Sequence, residues 1–303
     1  MKTPETPPRA LDGIPVACHG CVENQTRSAC RFAELNEPQT ETMVAMAREF
    51  IRQSGREHWT TQHVVRLVAD AILDELGVSR DFDMYARVKQ RSNDLALAHL
   101  DAFKRETAAS ASPFATALQL AAAGNIIDFG AKNHGALDLE KELLTLSSTP
   151  FARYDLAPLR EALAHGRTLL YLCDNAGEIV LDTLFIGQIK AAYPHLTIIA
   201  AVRDKPIIND ATLADARYVG LTELVTTVSS GSVYPGTILS EVSPEFMQHF
   251  SDADVIISKG QGNFETLLPG AEPRLFFLLR VKCDYMADLA GVVKDRLILL
   301  QGN

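Results

Sequence analysis

The sequence predicts an α/β protein: a mainly parallel, three-layer α/β/α sheet domain carrying an N-terminal helical subdomain. Three observations predict it. From about Thr26 to Thr107, apolar residues recur at three- and four-residue steps, and no alternating strands interrupt them. From Thr168 onward, short apolar runs alternate with helical stretches, as in a parallel sheet with helices on both faces. The first such run, Thr168 to Cys173, leads straight into Asp174-Asn175-Ala176-Gly177-Glu178. In an open α/β sheet, ligands bind at the carboxyl ends of strands. The expected division is a disordered Pro-rich tail over 1–12, a helical subdomain over 13–110 and the α/β/α domain over 111–303.

Within the helical half, Met43, Met46, Ala47, Phe50 and Ile51 form one stripe. Val64, Val65, Val68, Ile72, Leu73 and Leu76 form a second, and Gly55 and Gly77 mark helix ends. A third segment, Asp81 to Lys104, carries Tyr85, Val88, Leu95, Leu97, Leu100 and Phe103 opposite a charged face. These stripes read as core. Another helix starts at Ser112-Pro113, with proline at its first position, and runs toward Gly124-Asn125-Ile126-Ile127-Asp128. Helical stretches around Asp138–Leu146 and Leu156–His165 lead into the sheet.

The expected strands are 168–173, 196–202, 223–228, 254–258, 274–281 and 296–300, with helices over 178–192, 211–218 and 244–250. Four strand ends carry polar clusters: Asp174-Asn175, Arg203 to Asp210, Ser229 to Gly236 and Lys259 to Asn263. In a parallel sheet these share one edge. Asp174, Asn175 and Asp210 offer the hard oxygens that suit a divalent cation, which takes few protein ligands. Arg203, Lys205 and Lys259 are cations suited to phosphoryl oxygens. Gly231, Gly260 and Gly262 allow close backbone approach to an anion. Each residue also has a plainer reading: Asp174, Asn175 and Asp210 as helix caps, Arg203 and Lys205 as solvated loop charges, and Lys259 to Asn263 as a bare turn. Glu178 suits a first helical turn.

Composition is that of a globular chain, 47% hydrophobic and 22% charged, over 303 residues. A net charge of −9 argues against nucleic acid or an anionic membrane as partner. No apolar run is long enough to span a bilayer, and no hydrophobic leader opens the chain, so a cytoplasmic protein is expected. Five cysteines in such a chain do not suggest a disulfide scaffold. Cys18-His19-Gly20-Cys21 reads either as ordinary thiols or, completed by His19, Cys30 or Cys283, as a structural zinc site.

Five motifs in order carry a family resemblance: Gly124-Asn-Ile-Ile-Asp-Phe-Gly130, Asp174-Asn-Ala-Gly-Glu178, Arg203-x-Lys-Pro-Ile-x-Asn-Asp210, Gly231-Ser-x-x-Pro-Gly236 and Lys259-Gly-Gln-Gly-Asn263. With them the chain resembles the metal-dependent damage-control phosphatases. The early Cys18-x-x-Cys21 and late Lys282-Cys283 are similar to the archaeal and bacterial branch, although Asp284-Tyr285 replaces the small or proline residues expected there. The resemblance implies Mn²⁺, Co²⁺, Ni²⁺ or Mg²⁺ held by Asp174, Asn175 and Asp210 as the catalytic residues. It implies substrate contacts from Asn125, Asp128, Arg203, Lys205, Asn209, Ser230, Gly231, Lys259, Gly260, Gly262 and Asn263. A second metal or thiol group would use Cys18, Cys21 and Cys283. The implied reaction is hydrolysis of small phosphomonoesters, sugar phosphates or damaged phosphometabolites, by metal-assisted attack of water. The alternatives are a carboxylate methyltransferase and a non-enzymatic, metal-dependent phosphometabolite-binding protein.

Overall fold

The computed structural model describes residues 13–124 and 149–303. The first helices are α1 (Val16–Phe32), α2 (Glu37–Glu57) and α3 (Thr61–Leu76). Asn36 caps α2 with a reciprocal pair: its Oδ1 accepts from the Gln39 N–H, and the Gln39 Oε1 accepts from the Asn36 N–H, both at 3.0 Å. The two predicted stripes meet here, where Met43, Ala47, Ile51, Val64, Val68 and Ile72 bury against Val22, Cys30 and Tyr85. Helix α1 begins ten residues before the predicted helical region. Its sequence is too polar to show a stripe.

Helices α4 (Ala86–Ala109) and α5 (Pro113–Ala123) join the core of the sheet domain, and Val88 in the first turn of α4 also packs against the α1 to α3 core. Two buried side chains of α4 tie it there. Lys89 Nζ reaches Asp83 Oδ2 at 2.9 Å and Asp215 Oδ2 at 2.7 Å. Asn93 donates to Asp215 Oδ1 at 3.2 Å and accepts from the Gly177 N–H at 2.7 Å.

The sheet has seven strands: β1 (Phe151–Tyr154), β2 (Thr168–Leu172), β3 (Thr197–Val202), β4 (Thr226–Ser229), β5 (Val255–Lys259), β6 (Leu275–Arg280) and β7 (Leu297–Gln301). Their order is β1-β7-β6-β5-β2-β3-β4, and all pairs are parallel except β6 with β7. Between the strands run α6 (Leu156–His165), α7 (Glu178–Ala192), α8 (Leu213–Tyr218), α9 (Leu221–Leu224), α10 (Pro244–Asp252), α11 (Gly260–Leu267) and α12 (Asp284–Ala290). β1 was not expected from the sequence, since the short edge segment Phe-Ala-Arg-Tyr has no apolar run. The strand expected over 223–228 begins later, because residues 221–224 close a helical turn first.

Side chains alternate across the sheet, as the two-residue period of a strand requires. Leu169, Tyr171, Ile198, Ala200, Ile257 and Phe276 bury against α4 to α8. Leu170, Leu172, Ile199, Ile256 and Phe277 bury against α10 to α12. The predicted three-layer α/β/α architecture is therefore present. From β2 the chain winds one way to β3 and β4; β5 to β7 lie on its other side. The strand order thus reverses between β2 and β5, and ligands of open sheets bind in the crevice at such a point. No helix among the described residues is long and apolar enough to cross a membrane.

Candidate active site

Beyond β2 the chain continues as Cys173-Asp174-Asn175-Ala176 and is laced to the segment beyond β3. The Ala211 N–H donates to the Asp174 carbonyl at 2.8 Å, and the Ala176 N–H donates to the Asn209 carbonyl at 2.9 Å. Asn175 and Asp210 form an antiparallel bridge. This lacing brings Asp174, Asn175 and Asp210 together although a helix and a strand separate them in sequence. All three are buried and line a cavity of about 540 Å³. Asp210 is not the cap of α8; Thr212 is, paired with Asp215.

Burial pushes the Asp174 carboxyl well above the usual carboxylate range. Asp210 and Glu178 add to the rise, and Lys282 and Arg203 oppose it. Two carboxylates and an amide pressed together this way favour a positive ion among them. The donor set is hard oxygen, small in number, and suits Mg²⁺ or Mn²⁺. The amide nitrogen of Asn175 is committed to Asp174 Oδ2 at 2.8 Å and Glu178 Oε2 at 3.4 Å, so its oxygen is the atom a cation could use. Gly260 completes the cradle. At φ +78° it has no Cβ, and a Cβ there would stand 1.8 Å from Asp174 Oδ2. Among the described residues, no group of three or more His, Cys, Asp and Glu side chains is arranged to hold a metal ion. A site here therefore depends on Asn175 beside two carboxylates.

Two buried cations stand behind these residues. Arg203 Nε donates to Asp210 Oδ2 at 2.8 Å, and its NH groups reach Asn263 Oδ1 at 2.8 Å and Thr237 Oγ1 at 3.2 Å. Lys259 Nζ donates to Glu178 Oε1 and Asp182 Oδ1, both at 2.6 Å, and to the Ala121 carbonyl at 3.0 Å. Burial works against the Lys259 charge, but Asp182 and Glu178 outweigh it and hold the ammonium above the usual lysine range. Asp182 is pushed up to about 6 by burial, against the pull of Lys259.

These positions correct several expectations. Arg203 and Lys259 do not line the cavity; both are turned to protein acceptors. Lys205 is at the surface, paired with Asp81 at 2.5 Å. Glu178 sits in the first turn of α7, as expected, and is also a buried partner of Lys259. Lys259 to Asn263 is no loop, since Gly260 already begins α11. Asn263 is fully buried and braces Arg203 and the Lys259 carbonyl. Ser230 is buried and accepts from the Ser232 N–H at 3.2 Å, and Gly231 packs on Ser243, away from the cavity. Asn209 and Gly262 do line it. Asn125 and Asp128 lie outside the described residues.

The opposite wall comes from α1 and from the turn after β6. Cys18, Cys21 and Gln25 face the cavity from α1, Lys282 and Cys283 face it from the turn, and Tyr285 faces it from the start of α12. Among the described residues, Lys282 is the lysine or arginine that lines it. Lys282 lies at the end of a strand pointing to the same edge, a signal that would have found it. The thiols Cys18, Cys21 and Cys283 share this wall without an ion-holding arrangement. Burial, then Glu265 and the other two thiols, push Cys18 up to about 11, so it stays protonated.

A family model describing the damage-control phosphatase ARMT1-like domain matches residues 14–298. The chain belongs to the damage-control phosphatase family. A damage-control phosphatase of Pyrococcus horikoshii is 31% identical over 94% of this chain and 97% of its own. One from Archaeoglobus fulgidus is 29% identical over 91% of this chain and 94% of its own. The crystal structure of a DUF89-family protein from P. horikoshii superposes with a TM-score of 0.82 at 30% identity, covering 95% of this chain and 99% of that one. The resemblance carried by the five motifs is thus borne out, and the chain is a phosphatase, a hydrolase of this family.

Proposed function

We propose that this phosphatase hydrolyses small phosphomonoesters, sugar phosphates or damaged phosphometabolites, at the cavity between α1 and the sheet edge, with a divalent cation on Asp174, Asn175 and Asp210. The observation that carries this reading is the lacing of residues 174–176 to 209–211 at the switch point, opposite Lys282 across one cavity. A volume of about 540 Å³ lies in the range of small-molecule sites and suits a metabolite rather than a polymer.

When bound, the cation supplies Lewis acidity to the phosphoryl oxygens. The protein supplies the rest. Lys282 offers a point charge to the phosphoryl group from the opposite wall. The first turn of α11 begins at the cavity edge, where Gln261 and Gly262 line it, so its free N–H groups and dipole favour an anion. Gln25 and Tyr85 from the helical half face the remaining part of the substrate.

A panel of phosphate esters crossed with Mn²⁺, Co²⁺, Ni²⁺ and Mg²⁺ tests the proposal. Phosphate release that requires the cation and stops on chelation is expected. Release that is indifferent to chelation would remove the cation from the reaction, and no release from any ester would sink the substrate class.

A further inference from the structure

Lys259 is the longest fully buried side chain at the sheet edge, and it touches nothing in the cavity. A lysine ammonium has three protons to donate. Here all three have protein acceptors: the Ala121 carbonyl, Glu178 Oε1 and Asp182 Oδ1. None is left for a phosphoryl oxygen. The contacts continue on both sides. Tyr171 Oη donates to the same Asp182 oxygen at 2.7 Å. The other Glu178 oxygen, Oε2, accepts from Asn175 Nδ2, which also donates to Asp174 Oδ2. The chain of contacts thus leaves β2 at Tyr171 and returns to the same strand's end at Asn175 and Asp174.

On the reading that Asp174, Asn175 and Asp210 hold the cation, we propose that Lys259 is a positioning residue: through Glu178 it fixes the Asn175 amide so that the Asn175 oxygen faces the cation. An amide has two faces. With its nitrogen pinned by Glu178 and Asp174, its oxygen must lie on the opposite side. Without Lys259, Glu178 Oε1 loses its 2.6 Å contact with the ammonium, and the hold of Glu178 on the amide is weakened. The charge also matters. Glu178 adds a negative charge beside Asp174 and Asp210, and Lys259 offsets it without entering the cavity. Arg203 does the parallel work for Asp210.

The test separates aiming from substrate contact and from mere structural support. Lys259→Met removes the ammonium. Lys259→Met with Asp182→Asn removes it while keeping the net charge of the buried group. Both variants are checked for folding by urea titration. Cation affinity is then measured by calorimetry without substrate, and inhibition by inorganic phosphate is measured at saturating cation. The expected result for both is cation binding weakened tenfold or more, kcat reduced, and phosphate inhibition within threefold of wild type. Lys282→Met is expected to show the reverse pattern.

Wild-type cation affinity in either folded lysine variant would overturn the proposal, as would a loss confined to phosphate inhibition. Recovery of cation affinity along with stability in the double variant would leave Lys259 a structural residue only. If neither lysine variant folds, Glu178→Gln carries the same measurements: weakened cation binding supports the proposal and unchanged binding overturns it. Asp174→Ala reports on the reading beneath it. Unaltered cation affinity in that variant would move the cation elsewhere and would be a failure of the site assignment, not of Lys259.

Discussion

Two buried lysines make the same contact and serve different ends. Lys89 lies between Asp83 and Asp215, and Lys259 lies between Glu178 and Asp182. In both, burial works against the charge and the two carboxylates outweigh it. Yet Lys89 draws its partners from separate elements, the turn before α4 and the first turn of α8, while Lys259 draws both from one face of α7. The neighbouring contacts then diverge. Asn93, beside Lys89, ends on a backbone group, the Gly177 N–H. Glu178, beside Lys259, ends on a side chain, Asn175. One knot fastens a helix to the loop after β2, and the other reaches the Asn175 side chain on that loop. Identical electrostatics therefore do not reveal a role; the last atom in the chain of contacts does.

Substitutions can break this distinction. The largest effect is expected from Lys89→Met, which strands Asp83 and Asp215. Removing one member of a buried pair costs about 3–5 kcal/mol. Urea unfolding should show that loss while the folded protein keeps its cation affinity. A parallel fall in cation affinity would mean that both knots serve the site.

Asp174→Asn comes next. Phosphate release should fall by about 10²–10³-fold, the scale of losing an electrostatic stabiliser of the transition state. The cation-free protein should unfold at the same urea concentration or a higher one, because repulsion from Asp210 and Glu178 is relieved. A lower midpoint would make Asp174 a structural residue.

Lys282→Met should lower kcat/KM by the worth of one charge-assisted contact, about 1.5–3 kcal/mol. Most of that should appear in KM. An unchanged KM would return the search for the phosphoryl cation to the rest of the cavity wall. The smallest effect is expected from Lys205→Ala. Its pair with Asp81 is at the surface, so steady-state kinetics and the urea midpoint should both match wild type. A raised KM would restore it to the substrate site.

The central strands were legible because Leu169 to Leu172 and Val255 to Ser258 are apolar runs buried on both faces. The grouping of Asp174, Asn175 and Asp210 was legible because strand ends in a parallel sheet share an edge. What the residues could not show is depth. Arg203 and Lys259 sit at the same strand ends as the oxygen ligands, and sequence gives no sign that one set faces the cavity and the other faces away. That outcome depends on acceptors far along the chain, Ala121 for Lys259 and Thr237 for Arg203. The strand at 296–300 was expected, but the antiparallel direction of β7 was hidden, since its apolar run has the same composition as a parallel strand. Helix α1 escaped notice because the face it presents to the cavity carries Cys18, Cys21 and Gln25 in place of an apolar stripe.

The cavity wall on α1 bears on how the chain must be made. Ala17 and Tyr285 border the same cavity, and β1 at residue 151 pairs with β7 at residue 297. Synthesis on the ribosome delivers α1 first and the β6 to α12 turn near the end. Contacts so distant in sequence form slowly, and domains fold as units during synthesis. A nascent chain interrupted before residue 282 would hold both carboxylates but lack the lysine that lines the cavity with them, so the cavity wall is complete only with the last turns of the polypeptide.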